Sequence, residues 1–123
     1  MWTRLYTYDI ESYPNYFAMG LVHMETNTRW LYEISDRVNH GRQLVDMLKA
    51  LQVAQCRMIG FNNEGYDYPV IHHMWNVYHN LGYVTAEHAY AKTCEIIGGS
   101  WNDRFRHNVW PRDRVVPQID LFK

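Results

Sequence analysis

Leu5-Tyr6-Thr7-Tyr8-Asp9-Ile10-Glu11 is a β-rich run that stays apolar on both faces until its acidic end. A strand buried on both sides reads this way, and such strands lie at the centre of a sheet. Outward from it, Ser12-Tyr13-Pro14-Asn15 is a turn signal. Tyr16 to His23 and Thr28 to Ile34 then read as two strands joined by the polar turn Glu25-Thr26-Asn27, a hairpin that continues the sheet. Leu44, Val45, Met47, Leu48 and Leu51 recur at helical spacing between Gly41 and Gln55, which predicts an amphipathic helix over one sheet face. Arg57 to Phe61 is a short apolar burst stopped by Asn62-Asn63-Glu64-Gly65. A fourth strand is expected there, parallel to the first because a helix intervenes. Asp67 as N-cap and Pro69 in the first turn open a second helix, with Val70, Ile71, Met74, Val77 and Tyr78 on its apolar face and Gly82 at its end. A third helix is expected from Thr85 to Ile97, and strand character returns from Val115 to Phe122 around Asp120. The pattern is that of an α/β protein with a mixed sheet flanked by helices.

The chain has 123 residues, enough for one domain over residues 1–123 and no second comparable core. Hydrophobic residues at 47% and charged residues at 20% exclude a disordered or rod-like chain. No apolar run is long enough to span a bilayer, and Met1-Trp2-Thr3-Arg4 lacks the pattern of a secretory signal, so a cytoplasmic chain with no membrane partner is expected. The net charge of -1 excludes a globally basic nucleic-acid coat but allows a local basic groove. Cys56 and Cys94 are the only cysteines and form no C-x-x-C pair, which argues against a disulfide framework or cysteine-based zinc site.

Asp9 and Glu11 sit two apart at a strand end, so both carboxylates face the same side of the sheet. Two carboxylates facing together repel unless a positive charge joins them, and Mg²⁺ or Mn²⁺ is the natural counterion for hard oxygen ligands. Taken alone, the pattern is equally an exposed acidic strand end. Asp67 adds a third acid after the parallel strand, at the carboxyl edge where open α/β sheets place their ligands, and its bland alternative is a helix N-cap.

Tyr8-Asp9-Ile10-Glu11 followed by Gly60-Phe61-Asn62-Asn63-Glu64-Gly65-Tyr66-Asp67 resembles the first two motifs of the DEDD-type 3′–5′ exonucleases, D-x-E and N-x-x-x-[FY]-D or close to it. With Ser12-Tyr13-Pro14-Asn15-Tyr16-Phe17 and Tyr68-Pro69-Val70-Ile71 beside them, the text looks like the exonuclease domain of bacteriophage-type DNA polymerases, over most of the chain. The resemblance implies a ribonuclease-H-like fold and proofreading of a single-stranded DNA 3′ end by two-metal hydrolysis. By the same resemblance Asp9, Glu11 and Asp67 are catalytic metal ligands for Mg²⁺ or Mn²⁺. Phe61, Asn63 and Tyr66 lie beside the terminal nucleotide, and Asp120 in Ile119-Asp120-Leu121 is a secondary acid.

The family's third motif, Y-x-x-x-D or H-x-x-x-x-D on a later helix, has no counterpart here, since no Tyr follows Tyr90. The expectation is therefore an N-terminal portion of such a domain. It would be completed by a downstream segment or by a polypeptide carrying the rest of the exonuclease and polymerase, or it would self-associate through an uncovered apolar face. The rival is a noncatalytic ribonuclease-H-like module that binds single-stranded nucleic acid or a polymerase partner.

Arg104, Arg106, Arg112 and Arg114 interleave with Trp101, Phe105 and Trp110, a mixture that suits single-stranded nucleic acid and equally suits a solvated loop packing its Trp rings onto the sheet. His72, His73 and His79 share one helix, but neighbouring positions there point about 100° apart, so the reading is surface or partly packed imidazoles rather than a zinc site.

Overall fold

The computed structural model describes residues 4–99 and 106–122. Along the chain run β1 (Leu5–Tyr13), β2 (Tyr16–His23), β3 (Arg29–Ser35), α1 (Gly41–Val53), β4 (Arg57–Gly60), α2 (Asp67–Leu81), α3 (Ala86–Gly98), a 3₁₀ turn at Pro111–Asp113, and β5 (Gln118–Asp120). The five strands form one sheet in the order β3-β2-β1-β4-β5. β1, β2 and β3 are an antiparallel meander, while β4 is parallel to β1 and β5 is parallel to β4. The chain is an α/β protein with a mixed sheet and three helices, an architecture compatible with the ribonuclease-H-like fold.

Register explains which residues are buried. Opposite pairs share a face, so Tyr8 with Leu21, Ile10 with Met19 and Ser12 with Phe17 point to one side. On that side Phe17, Met19 and Leu21 are fully buried and join Leu44, Leu48, Val70, Ile71, Met74 and Ala89 in one core. All three helices therefore contribute to a single layer. The opposite face carries Thr7, Asp9 and Glu11 beside Gly20 and Leu31, and Leu31 is 63% exposed.

The helix boundaries follow local chemistry. α1 buries Leu44, Val45, Leu48 and Leu51, the expected stripe. Its entry is tight: a Cβ on Gly41 would stand 2.7 Å from Val84 Cγ1, and the Asn39 side chain bridges Gly41 N–H and Val84 C=O. α2 ends on Gly82 in the left-handed conformation, with φ +82°. α3 starts at a capping box in which Thr85 and His88 exchange side-chain to backbone hydrogen bonds.

Three expectations shift. β1 runs on through Tyr13, which pairs with Tyr16, so only Pro14 and Asn15 form the turn. The last strand shortens to Gln118–Asp120, because Val115 and Val116 turn into the core instead of joining the sheet. Asp67 is not the N-cap of α2. Tyr66 holds that position, and the Asp67 side chain leaves its own helix for the neighbouring strand.

Candidate functional site

β1 outlasts its parallel neighbour: the β1–β4 ladder ends at Thr7 with Ile59, and beyond Gly60 the β1 edge is open. Tyr66 and Asp67 fill this gap at the start of α2. Asp67 Oδ2 accepts the Ile10 N–H at 3.1 Å, which satisfies a backbone donor that the vanished strand would otherwise have met. Asp9 lies close enough on β1 for its charge to act on this carboxyl. Asp9 is exposed and Asp67 is 6% exposed, so the pair straddles the surface of the sheet edge.

The electrostatics follow from this placement. Burial, and then the negative charge of Asp9, raises the Asp67 carboxyl from 3.8 to about 7, against the lowering effect of the Ile10 N–H. Glu11 lies one pleat farther along the same exposed face of β1. Among the described residues no three His, Cys, Asp or Glu side chains stand as a closed metal-holding group. What the fold brings together is the Asp9–Asp67 pair, with Glu11 on the same strand face. Its chemistry fits a hard divalent cation, because a buried carboxyl that otherwise needs a proton to sit beside another carboxylate is relieved equally well by positive charge.

Tyr66 completes the rim. It is half-buried, and burial together with Asp67 and Asp9 pushes the phenol up, so it stays a neutral hydroxyl. Thr93 donates to Ser12 Oγ at 2.9 Å. Neither Thr93 nor Ser12 stands out in the sequence, since a threonine inside a helix and a serine before a turn are ordinary residues there.

The remaining candidates separate. Phe61 is 68% exposed and meets Phe122 edge-on, ring centroids 5.1 Å apart, leaving an aromatic face to solvent. Asn63 is fully buried and donates through Nδ2 to Gln118 Oε1 at 2.9 Å, while its Oδ1 is buried with no hydrogen-bond partner among the described residues. Gln118 Oε1 also accepts the Tyr8 hydroxyl, making one side chain of β5 the tie between β1 and the loop after β4. Asp120 is likewise a holding group. Its Oδ1 accepts Asn62 N–H at 2.8 Å and Phe122 N–H at 2.9 Å, and its Oδ2 accepts Glu64 N–H at 3.1 Å. It thereby braces a loop in which Asn62 adopts φ 57°.

The arginines do not form one free row. Arg104 lies outside the described residues, and Arg112 is exposed beside Asp113 at 3.7 Å. Arg114 is turned inward, donating to Val109 C=O at 3.1 Å and pairing with Glu64 at 3.3 Å. Arg106 and Arg114 share a pocket of about 360 Å³ with Glu64, Asn108 and Trp110. His72 accepts or donates at Nδ1 to the Tyr68 hydroxyl at 3.0 Å, a packing role.

No helix among the described residues is long and apolar enough to cross a membrane. No protein-family profile matches the sequence, and no curated protein matches it. Among solved structures, the family B DNA polymerase from the hyperthermophilic archaeon Pyrobaculum calidifontis aligns over 96% of this chain and 15% of its own, at 14% identity and a TM-score of 0.46.

Proposed function

We propose that the chain is the N-terminal part of a 3′–5′ exonuclease domain of a DNA polymerase, hydrolysing the terminal phosphodiester of single-stranded DNA. The observation that carries this is the buried Asp67 carboxyl held by the Ile10 N–H beside Asp9 at the carboxyl edge of the central strand, in the two sequence motifs that resemble this family. Asp9 and Asp67, with Glu11 on the same strand face, would hold Mg²⁺ or Mn²⁺. A bound divalent cation supplies a more acidic water and neutralises charge at the scissile phosphate. Asp67 would give up its proton on holding the cation. Phe61 offers a ring for the terminal base to stack on, and Tyr66 presents a neutral phenol at the rim, which avoids repelling the phosphate.

No protein nucleophile is needed for this chemistry, and the fourth carboxylate of the family would come from a downstream segment or a partner chain. The absence of a closed triad among the described residues favours, as second reading, a noncatalytic module that binds single strands or a polymerase. A single-stranded oligonucleotide labelled at its 5′ end, incubated with the protein and Mn²⁺, distinguishes them. The exonuclease reading expects a ladder shortened from the 3′ end, strengthened by a polypeptide bearing a Y-x-x-x-D helix and lost in Asp67→Ala. An oligonucleotide that is bound but never shortened, with or without that polypeptide, supports the binding module.

A further inference from the structure

Trp110 caps the start of the 3₁₀ turn with its side chain in solvent, 70% exposed, instead of packing onto the sheet. Its backbone is fixed all the same: its C=O accepts Asp113 N–H at 2.9 Å, and Pro111 follows it. Trp110 lines a cavity of about 360 Å³ together with Arg106, Asn108, Pro111, Glu64 and Arg114. That volume is at the small end of ligand sites, which suits one base with its phosphate rather than a larger molecule.

The wall of the cavity is braced and its charges are largely matched. Arg114 is turned inward, its side chain 11% exposed, and donates to Val109 C=O at 3.1 Å and to Glu64 at 3.3 Å. Glu64 N–H donates to Asp120, which also accepts Asn62 N–H, so the cavity and Phe61 share one loop held from β5. With Arg114 and Glu64 paired, the charge left at the rim is that of Arg106, which is exposed and forms no ion pair among the described residues. Asn108 lines the same cavity, and its Oδ1 is buried with no hydrogen-bond partner among the described residues. An open indole, one uncommitted guanidinium and one unsatisfied acceptor are together what a nucleotide answers, with its base ring, its phosphate and the N–H groups of its base edge.

We propose that this cavity is a nucleotide subsite for single-stranded DNA, the base stacking on Trp110 and the phosphate meeting Arg106. It deepens the exonuclease reading, and rests on it for the strand that is bound, by giving that strand a second hold besides Phe61. Phe61 and Glu64 are three residues apart, at most about 11 Å of chain, so one short strand reaches both.

Anisotropy of a fluorescein-labelled oligothymidylate octamer in EDTA, with melting temperature alongside, tests this in wild type, Trp110→Ala, Trp110→Phe and Arg106→Gln. Trp110→Ala should weaken the octamer about tenfold at unchanged melting temperature, and Trp110→Phe should recover most of that loss, because a ring is what the base needs. Arg106→Gln should weaken it as well and reduce the slope of log affinity against log salt by about 0.7, the share of one phosphate contact. An octamer without bases should bind wild type and Trp110→Ala alike. Free thymidine monophosphate should bind far more weakly than the octamer; equal affinity would make this a mononucleotide site and overturn the assignment to a strand. Wild-type affinity in both Trp110→Ala and Arg106→Gln overturns the inference, and so does a loss that is the same in Trp110→Ala and Trp110→Phe. Because EDTA removes the cation, these results stand apart from the metal site: a chain that binds the octamer through Trp110 and Arg106 but takes up no Mn²⁺ keeps the subsite and loses the exonuclease chemistry.

Discussion

Asp67 Oδ2 accepts the backbone N–H of Ile10 at 3.1 Å, across the gap left where β4 ends at Gly60. One hydrogen bond therefore does two things: it closes the ladder of the central strand, and it holds the Asp67 carboxyl against Asp9. The position in the first turn of α2 adds the positive end of that helix, which favours a carboxylate there. Burial and the neighbouring charge outweigh both influences, and the proton stays on to about pH 7.

This predicts a pH-dependent cost. The folded protein keeps a proton on Asp67 between its ordinary value of 3.8 and about 7, whereas the unfolded chain loses it, so folding stability falls as pH rises through that window. Asp67→Asn retains an acceptor for Ile10 and carries no charge. Thermal melts should show it matching wild type near pH 4 and exceeding it at pH 8, by on the order of a few kcal/mol. Equal melting curves at both pH values would contradict the buried-carboxyl account.

Gly60 and Asn63 should tolerate little. A Cβ on Gly60 would lie 2.8 Å from Asn63 Cβ and 2.9 Å from its Cγ, atoms of a fully buried side chain that has nowhere to move. Gly60→Ala is expected to destabilise by roughly 1–3 kcal/mol in urea denaturation. Asn63→Ala should cost a comparable amount through the lost bond to Gln118, with oligonucleotide affinity changing only as far as the folded fraction does.

The central strand, its acidic end, the hairpin and all three helices were legible because each rests on local periodicity and turn chemistry. The Asp9–Glu11 spacing also fixes their common face without knowledge of the fold. What escaped reading depends on partners distant in sequence. Asp67 looks like an N-cap until β4 is known to stop short and leave Ile10 N–H open. The bonds from Asn63 to Gln118, and from the backbone at Asn62 and Glu64 to Asp120, likewise join residues far apart in sequence. Thr93 is invisible in a helix sequence, since only the docking of α3 onto β1 brings its hydroxyl to Ser12.

Tyr68 ties α2 to the segment before β5. Its hydroxyl accepts Val115 N–H at 2.6 Å and bonds to His72 Nδ1 at 3.0 Å, and burial pushes the phenol up to about 12. Tyr68→Phe leaves the buried Val115 N–H without a partner and should cost about 1–3 kcal/mol, measured by chemical denaturation. A variant as stable as wild type would mean that this amide finds another acceptor.

Glu33 gives the opposite acid response. It is buried on β3, and hydrogen bonds from Arg37 and Ser35 hold its carboxyl down at about 2, from 4.5. A lowered value stabilises the fold above 4.5 and loses that contribution as pH falls toward 2. Glu33→Gln should therefore melt below wild type at pH 7, with the gap closing as pH drops through this window. A gap that stays constant with pH would show that the carboxylate charge contributes nothing.

Calorimetric titration of Mn²⁺ into wild type and Asp9→Asn at pH 6, each in two buffers of different ionisation enthalpy, tests the central claim most directly. The account predicts that wild type binds Mn²⁺ and releases close to one proton, the one that Asp67 holds, and that Asp9→Asn weakens binding by about tenfold or more. Mn²⁺ binding that is unchanged in Asp9→Asn, or that releases no proton, would contradict a metal centre built on this pair.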